Sequence, residues 1–195
     1  MKSETFEIKR WARWLGTFVG FPLAGVAARI VAGNINGVGA AAIGGLAGGA
    51  TLGAIQVAIG AMAAEDRVRW IAATGVGFAA GLATGASTVG YRTDTASLVV
   101  MGALSGAGVG LAQALSVPMR VVDRILWAVG TPALWAGGWL ITSQVITDAD
   151  RQHAVFGSSG ALAVSAVAGV LFAMRRGRTT ATVALVGTAN DRVAA

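Results

Sequence analysis

Two glutamines, Gln56 and Gln113, are the residues best placed to do chemistry inside a long apolar run of this chain. An amide donates and accepts hydrogen bonds, so a pair of them within a bilayer could line the path of a small neutral solute. The same amides can instead bond across helices, at about 0.6–2 kcal/mol each. The second reading needs no ligand and is favoured. Thr74, Thr131 and Ser105 are weaker candidates, because a helical hydroxyl usually bonds back to its own backbone.

The remaining reactive residue types lie near the ends of apolar runs. His153 stands with Asp148 and Asp150 in a polar segment. A metal site needs three or four converging ligands, so this segment is read as a solvated loop. Asp66 and Asp123 each precede an arginine at a helix start, where capping and local ion pairing explain them. Trp135 and Trp139, four apart, are expected to face lipid or to fill the gap at Gly137 and Gly138. A stacking site for a ring-bearing ligand is the alternative for them.

No phosphate loop, GxSxG elbow or HExxH pattern occurs. There is no cysteine, which removes disulfides and thiolate chemistry. Between loop ends no apolar run carries Asp, Glu, Lys or His, and Arg29 sits where it can snorkel outward. Proton-coupled pumping needs buried ionisable groups, so it is not expected. No catalytic, cofactor-binding or metal-ligating residue is expected either.

The elements that hold the glutamines are long and uncharged. Of 195 residues, 55% are apolar and only 12% charged, and the mean hydropathy is +0.68. A soluble domain carries about 25% charged residues. Six runs, at 14–32, 38–63, 69–90, 96–117, 125–146 and 154–174, are long enough to cross a bilayer as helices. The first is read as a span and not as a signal peptide, because it fits the repeat described below. Pro118 stops the fourth run, and Pro132 should kink the fifth. Phe6, Ile8 and Trp11 could lie along a membrane surface ahead of the first span.

Within the second run, Gly45, Gly49 and Gly53 are spaced four apart, and Gln56 returns to within roughly 20° of their stripe. A strip without side chains is where another backbone can approach. The strip recurs 57 residues later as Gly102, Gly106, Gly110 and Gln113. The register continues, with Asp66, Arg67 and Trp70 matching Asp123, Arg124 and Trp127. A third stripe, Gly157, Ala161, Ser165 and Gly169, follows Trp127, with Ala168 near the glutamine's place. Trp14, Trp70 and Trp127 open the three copies and are read as interfacial anchors.

The fold expected is therefore an all-α membrane protein of six transmembrane helices. They form three hairpins, at 12–63, 68–119 and 124–174, around a pseudo-threefold axis. Residues 1–11 and 175–195 are terminal segments. The glycine stripes should face the centre or the partner within each hairpin.

The net charge is +6 and the sequence pI about 11.3. In a soluble chain that would suggest nucleic acid. Here the basic residues flank spans, so membrane orientation explains them and no nucleic-acid partner is expected. Lys2, Lys9, Arg10, Arg13, Arg67, Arg69, Arg120, Arg124, Arg175, Arg176, Arg178 and Arg192 gather on one side, and Arg29, Arg92 and Arg151 on the other. That asymmetry puts both termini in the cytoplasm and makes the hairpins parallel repeats. High Ala, Gly, Val and Arg with little Lys suggests a GC-rich bacterial genome, hence the inner membrane. The function expected is a non-enzymatic accessory or scaffold subunit. Its partners would be the lipid bilayer, another membrane protein or a second copy. The alternatives are a channel or facilitator for a small neutral solute, then an enzyme acting on lipid.

Overall fold

The computed structural model describes residues 2–60, 62–145 and 159–170, and every regular element among them is helical. α1 (Lys2–Gly16) runs through a short 3-10 turn (Thr17–Val19) into α2 (Gly20–Ala32). α3 (Val38–Gly60), α4 (Arg67–Thr88), α5 (Thr95–Ser116) and α6 (Val121–Val145) follow. α7 (Ser159–Val170) is a shorter apolar helix. Five helical stretches are long and apolar enough to cross a membrane: Ile8–Ala32, Val38–Gly60, Ala64–Thr88, Thr95–Ser116 and Val121–Val145. The chain is thus a multi-pass, membrane-embedded helical protein by length and composition. Of the expected sixth span, only α7 is described. The loop carrying Asp148, Asp150 and His153, and the tail after residue 170, lie outside the described residues.

Many large apolar side chains point outward, among them Ile30, Val68, Val129 and Leu115, each more than 60% exposed. In water such a surface would aggregate; in lipid it is the expected coat. The interior is built from small residues and aromatics. Consecutive helices run antiparallel and touch along glycine seams. A methyl placed on Gly49 would lie 2.5 Å from the carbonyl oxygen of Thr74, and one on Gly45 2.8 Å from that of Phe78. On α5, a methyl at Gly106 would lie 2.8 Å from the carbonyl oxygen of Thr131, and one at Gly110 2.7 Å from Thr131 Cβ.

These seams correct one expectation. The stripes Gly45, Gly49, Gly53 and Gly102, Gly106, Gly110 face neither the centre nor the partner within a hairpin. They face the helix that follows in the chain, α4 and α6 respectively. The reason is that the α2–α3 and α4–α5 contacts use other small residues, one helical step away on α3 and on α4. Gly44 and Gly48 meet Ala28 and Ala24 of α2, while Gly77, Gly81 and Gly85 meet Gly108, Ser105 and Met101. Adjacent glycines lie about 100° apart on a helix. The doublets Gly44–Gly45 and Gly48–Gly49 therefore serve two neighbours at once. α7 lies between α6 and α1. Its Gly160 abuts Gly138 and Thr142, and its Gly169 abuts Trp11 and Trp14.

Two smaller corrections concern helix ends. Asp66 precedes α4, but its side chain makes no capping bond. A carboxylate that does cap a helix is Asp94, which accepts from Ser97 N at 3.0 Å and from Ser97 Oγ at 2.6 Å. Residues 8–13 belong to α1, and Trp11 donates from Nε1 to the carbonyl of Ala166 at 3.0 Å, so it does not lie along the surface. α6 continues through Pro132, whose Cα would stand 3.0 Å from a methyl on Gly106.

Candidate functional site

The polar centre of the molecule is a hydrogen-bonded cluster of two glutamines, two tryptophans and a threonine. Trp70 Nε1 donates to Gln56 Oε1 at 2.8 Å, and Trp127 Nε1 donates to Gln113 Oε1 at 3.0 Å. Gln113 Nε2 donates to Thr74 Oγ1 at 2.9 Å and to Gln56 Oε1 at 3.3 Å. An indole N–H can only donate, so the atom facing each one must be the amide oxygen. That settles which way round both amides sit. Gln113 is 1% exposed and Trp70 0%, while Gln56 and Trp127 keep 7% and 8%.

The tryptophans reach the cluster because they face inward. Trp14, Trp70 and Trp127 touch one another pairwise, with ring centroids 6.3, 5.9 and 6.0 Å apart. All three are buried. The expectation of interfacial anchors is therefore corrected. An indole at the lipid boundary would bond water, but in this chain Gln56 and Gln113 supply acceptors for Trp70 and Trp127 in the interior. Trp14 meets both of the others edge-on, while Trp70 and Trp127 are tilted at 52°; an edge-on ring pair adds about 0.5–1.5 kcal/mol beyond area burial.

A second aromatic layer lies beside the first. Trp135 packs edge-on against Phe21 at 5.6 Å and Phe78 at 5.2 Å. Trp139 is 2% exposed and abuts Gly102. Neither Trp135 nor Trp139 faces lipid or fills the gap at Gly137 and Gly138, as expected from sequence. Gly138 instead receives Gly160, and a methyl at Gly137 would meet open space. The reason is that α5 presents Gly102 and Gly106 where the two indoles need room.

Between the layers stand Thr17, Thr74 and Thr131, all buried. Their hydroxyls donate to the carbonyls of Trp14, Trp70 and Trp127 at 2.7, 2.7 and 2.6 Å. Thr17 and Phe21 escaped the sequence reading, although a signal was present. Thr17, Thr74 and Thr131 recur every 57 residues, as do Phe21, Phe78 and Trp135. Trp14 breaks that spacing by one residue, since it precedes its threonine by three positions and not four. The 3-10 turn at Thr17–Val19 absorbs the difference. A turn of three residues lets Thr17 bond three back where Thr74 and Thr131 bond four back.

A cavity of about 20 Å³ lies next to the cluster, lined among others by Thr17, Gln56, Gln113, Thr131, Ser165 and Ala168. No group of His, Asp or Glu able to hold a metal occurs among the described residues. The site's amides, indoles and hydroxyls do not titrate in the physiological range. What they can do is fix helices in register and bind a small neutral partner. No protein-family model, no curated protein and no solved structure is recognisably similar to this chain.

Proposed function

We propose that this chain is a scaffold or accessory subunit of a bacterial inner membrane, not an enzyme, built as three parallel hairpins about a pseudo-threefold axis. The observation that carries the reading is how the buried polar groups are spent. Both glutamine oxygens, two indole donors and Thr74 are satisfied by one another across helices. The surrounding space is filled by Trp14, Trp70, Trp127, Phe21, Phe78 and Trp135. A centre built in this way holds shape and leaves little path for solute. Equivalence of the two glycine seams supports the hairpin repeat. A methyl on Gly49 or on Gly106 would lie 2.9 Å from Cβ of Phe78 or of Trp135, and those residues are themselves 57 apart. The basic flanks of the spans support cytoplasmic termini.

One observation favours the second reading, a facilitator for a small neutral solute. The cavity beside the glutamines is polar on one side and admits water-sized molecules. Vesicle shrinkage assays on the reconstituted protein separate the two. Permeability to water, urea and glycerol should equal that of protein-free vesicles. Faster flux of any of them, abolished by Gln113→Leu in a variant of unchanged melting temperature, would replace the scaffold reading by the facilitator. Orientation is tested by reporter fusions: those after residues 66 and 121 should report cytoplasm, and those after 35 and 93 the outside. For the partner, photo-crosslinkers at the lipid-facing Leu111, Leu115 and Val129 should trap one discrete membrane protein or a second copy. Only lipid adducts at all three would count against a scaffold.

A further inference from the structure

We infer that the cavity beside Gln56 and Gln113 is a binding site for one ordered water molecule, which does the hydrogen bonding a third glutamine would do. Two equivalent threonines, Thr74 and Thr131, differ in their hydrogen bonding. Thr74 Oγ1 accepts a hydrogen bond from Gln113 Nε2. Thr131 Oγ1 donates to its own helix but receives no bond among the described residues. α7 lines the cavity with Val164, Ser165 and Ala168, and at the place a third glutamine would take it has Ala168, which offers no polar atom.

Two further polar groups line the same cavity without a protein partner. Ser165 is 2% exposed, and its Oγ has no hydrogen-bond partner. Gln56 uses its oxygen twice, but its Nε2 bonds to nothing among the described residues. A buried amide or hydroxyl left unpaired costs about 1–3 kcal/mol. The cavity thus offers one free donor, Gln56 Nε2, one free acceptor, Thr131 Oγ1, and one hydroxyl able to play either part. A buried water typically makes about three bonds and needs a space of at least about 10–15 Å³. The cavity measures about 20 Å³, enough for one water. Water can accept from the amide and donate to both hydroxyls, so a single molecule closes all three accounts. An apolar occupant would leave all three open.

The test uses the full chain in nanodiscs, with water as its own probe. Gln56 side-chain amide protons should show a magnetisation-transfer cross-peak to water. That cross-peak should be lost in Ala168→Gln, whose amide takes the water's place, and the melting temperature should rise by about 2–4 °C. Ala168→Leu, similar in size but without polar atoms, should melt below the wild type. Ser165→Ala gives an independent reading should Ala168→Gln not fold. If the hydroxyl truly lacks a partner, removing it should raise the melting temperature; if it bonds water, removal should lower it. The inference is overturned by the absence of the cross-peak in the wild type, by its survival in folded Ala168→Gln, by a Leu variant as stable as the Gln variant, or by stabilisation in Ser165→Ala.

Discussion

Removing the amide of Gln56 would leave the indole N–H of Trp70, a fully buried donor, without its acceptor. Gln56→Leu should therefore cost about 1–3 kcal/mol, the range for a buried group stripped of its partner. Gln113→Leu strands Trp127 and also withdraws the bonds to Thr74 and Gln56. Because the two amides share a bond, the costs should not add. A double-mutant cycle by thermal melts should show a coupling of at least about 0.5 kcal/mol, and a coupling of zero would mean that the 3.3 Å contact contributes nothing. Asp94 caps α5 through its charged side chain, which accepts from Ser97 N. Bonds from the Ser97 hydroxyl and amide hold its carboxyl below the ordinary value of 3.8, with Arg92 adding to the same effect. A lowered folded-state value means the contribution is present above the unfolded value and is lost as pH falls through the folded one. Asp94→Ala should thus melt below the wild type at neutral pH, with the gap closing as pH falls below 3.8. A gap that stayed constant down to acid pH would show that the carboxylate's charge plays no part in the cap.

At the scale of helices, space decides which glycines can change. Gly49→Ala and Gly106→Ala would push a methyl to 2.5 and 2.8 Å from a neighbouring carbonyl oxygen, and backbone must move to relieve each. Each should cost about 1–3 kcal/mol. Gly137 lies mid-helix in α6 with open space beside it, so Gly137→Ala should be neutral or gain up to about 1 kcal/mol from helix propensity. Equal melting temperatures for the three variants would show that the seams are looser than their geometry. Spans, turns and small-residue stripes were legible because hydropathy and a period near 3.6 depend on local sequence alone. The direction each stripe faces was not. A GG doublet offers two faces, and which neighbour takes which is set by the tertiary partners, Ala24 and Ala28 of α2 against Gly44 and Gly48, and Thr74 and Phe78 of α4 against Gly45 and Gly49. The inward turn of the tryptophans was hidden for a related reason. Trp at a span's end reads as an anchor until one sees that Gln56 and Gln113 supply acceptors for Trp70 and Trp127 from other helices. Thr17 and Phe21 were masked by one missing residue, which the 3-10 turn repairs.

For the molecule as a whole, the decisive contacts are those between its two ends. Trp11 on α1 bonds Ala166 on α7, a separation of 155 residues. Gly169 of the same helix would place a methyl 3.1 Å from Trp11 and 3.2 Å from Trp14. Trp14 in turn touches Trp70 and Trp127, which hold the two glutamines. A disturbance at the α7–α1 seam therefore has a route of direct contacts to the polar cluster. Leucine at position 169 cannot fit between α7 and the two indoles, so α7 must lift and Trp14 loses support on that side. Trp11→Phe removes only the one hydrogen bond, at about 1 kcal/mol, and keeps an aromatic ring in place. Two outcomes distinguish a single cooperative unit from a core with a loosely attached last helix. In a single unit, Gly169→Leu should lower the melting temperature of the entire bundle and speed hydrogen exchange at the indole N–H groups of Trp70 and Trp127, with Trp11→Phe doing the same more weakly. Opening that spreads across helices is what global exchange reports. If those two indoles exchange at wild-type rates in Gly169→Leu, the five long helices hold themselves together and α7 is an appendage to them.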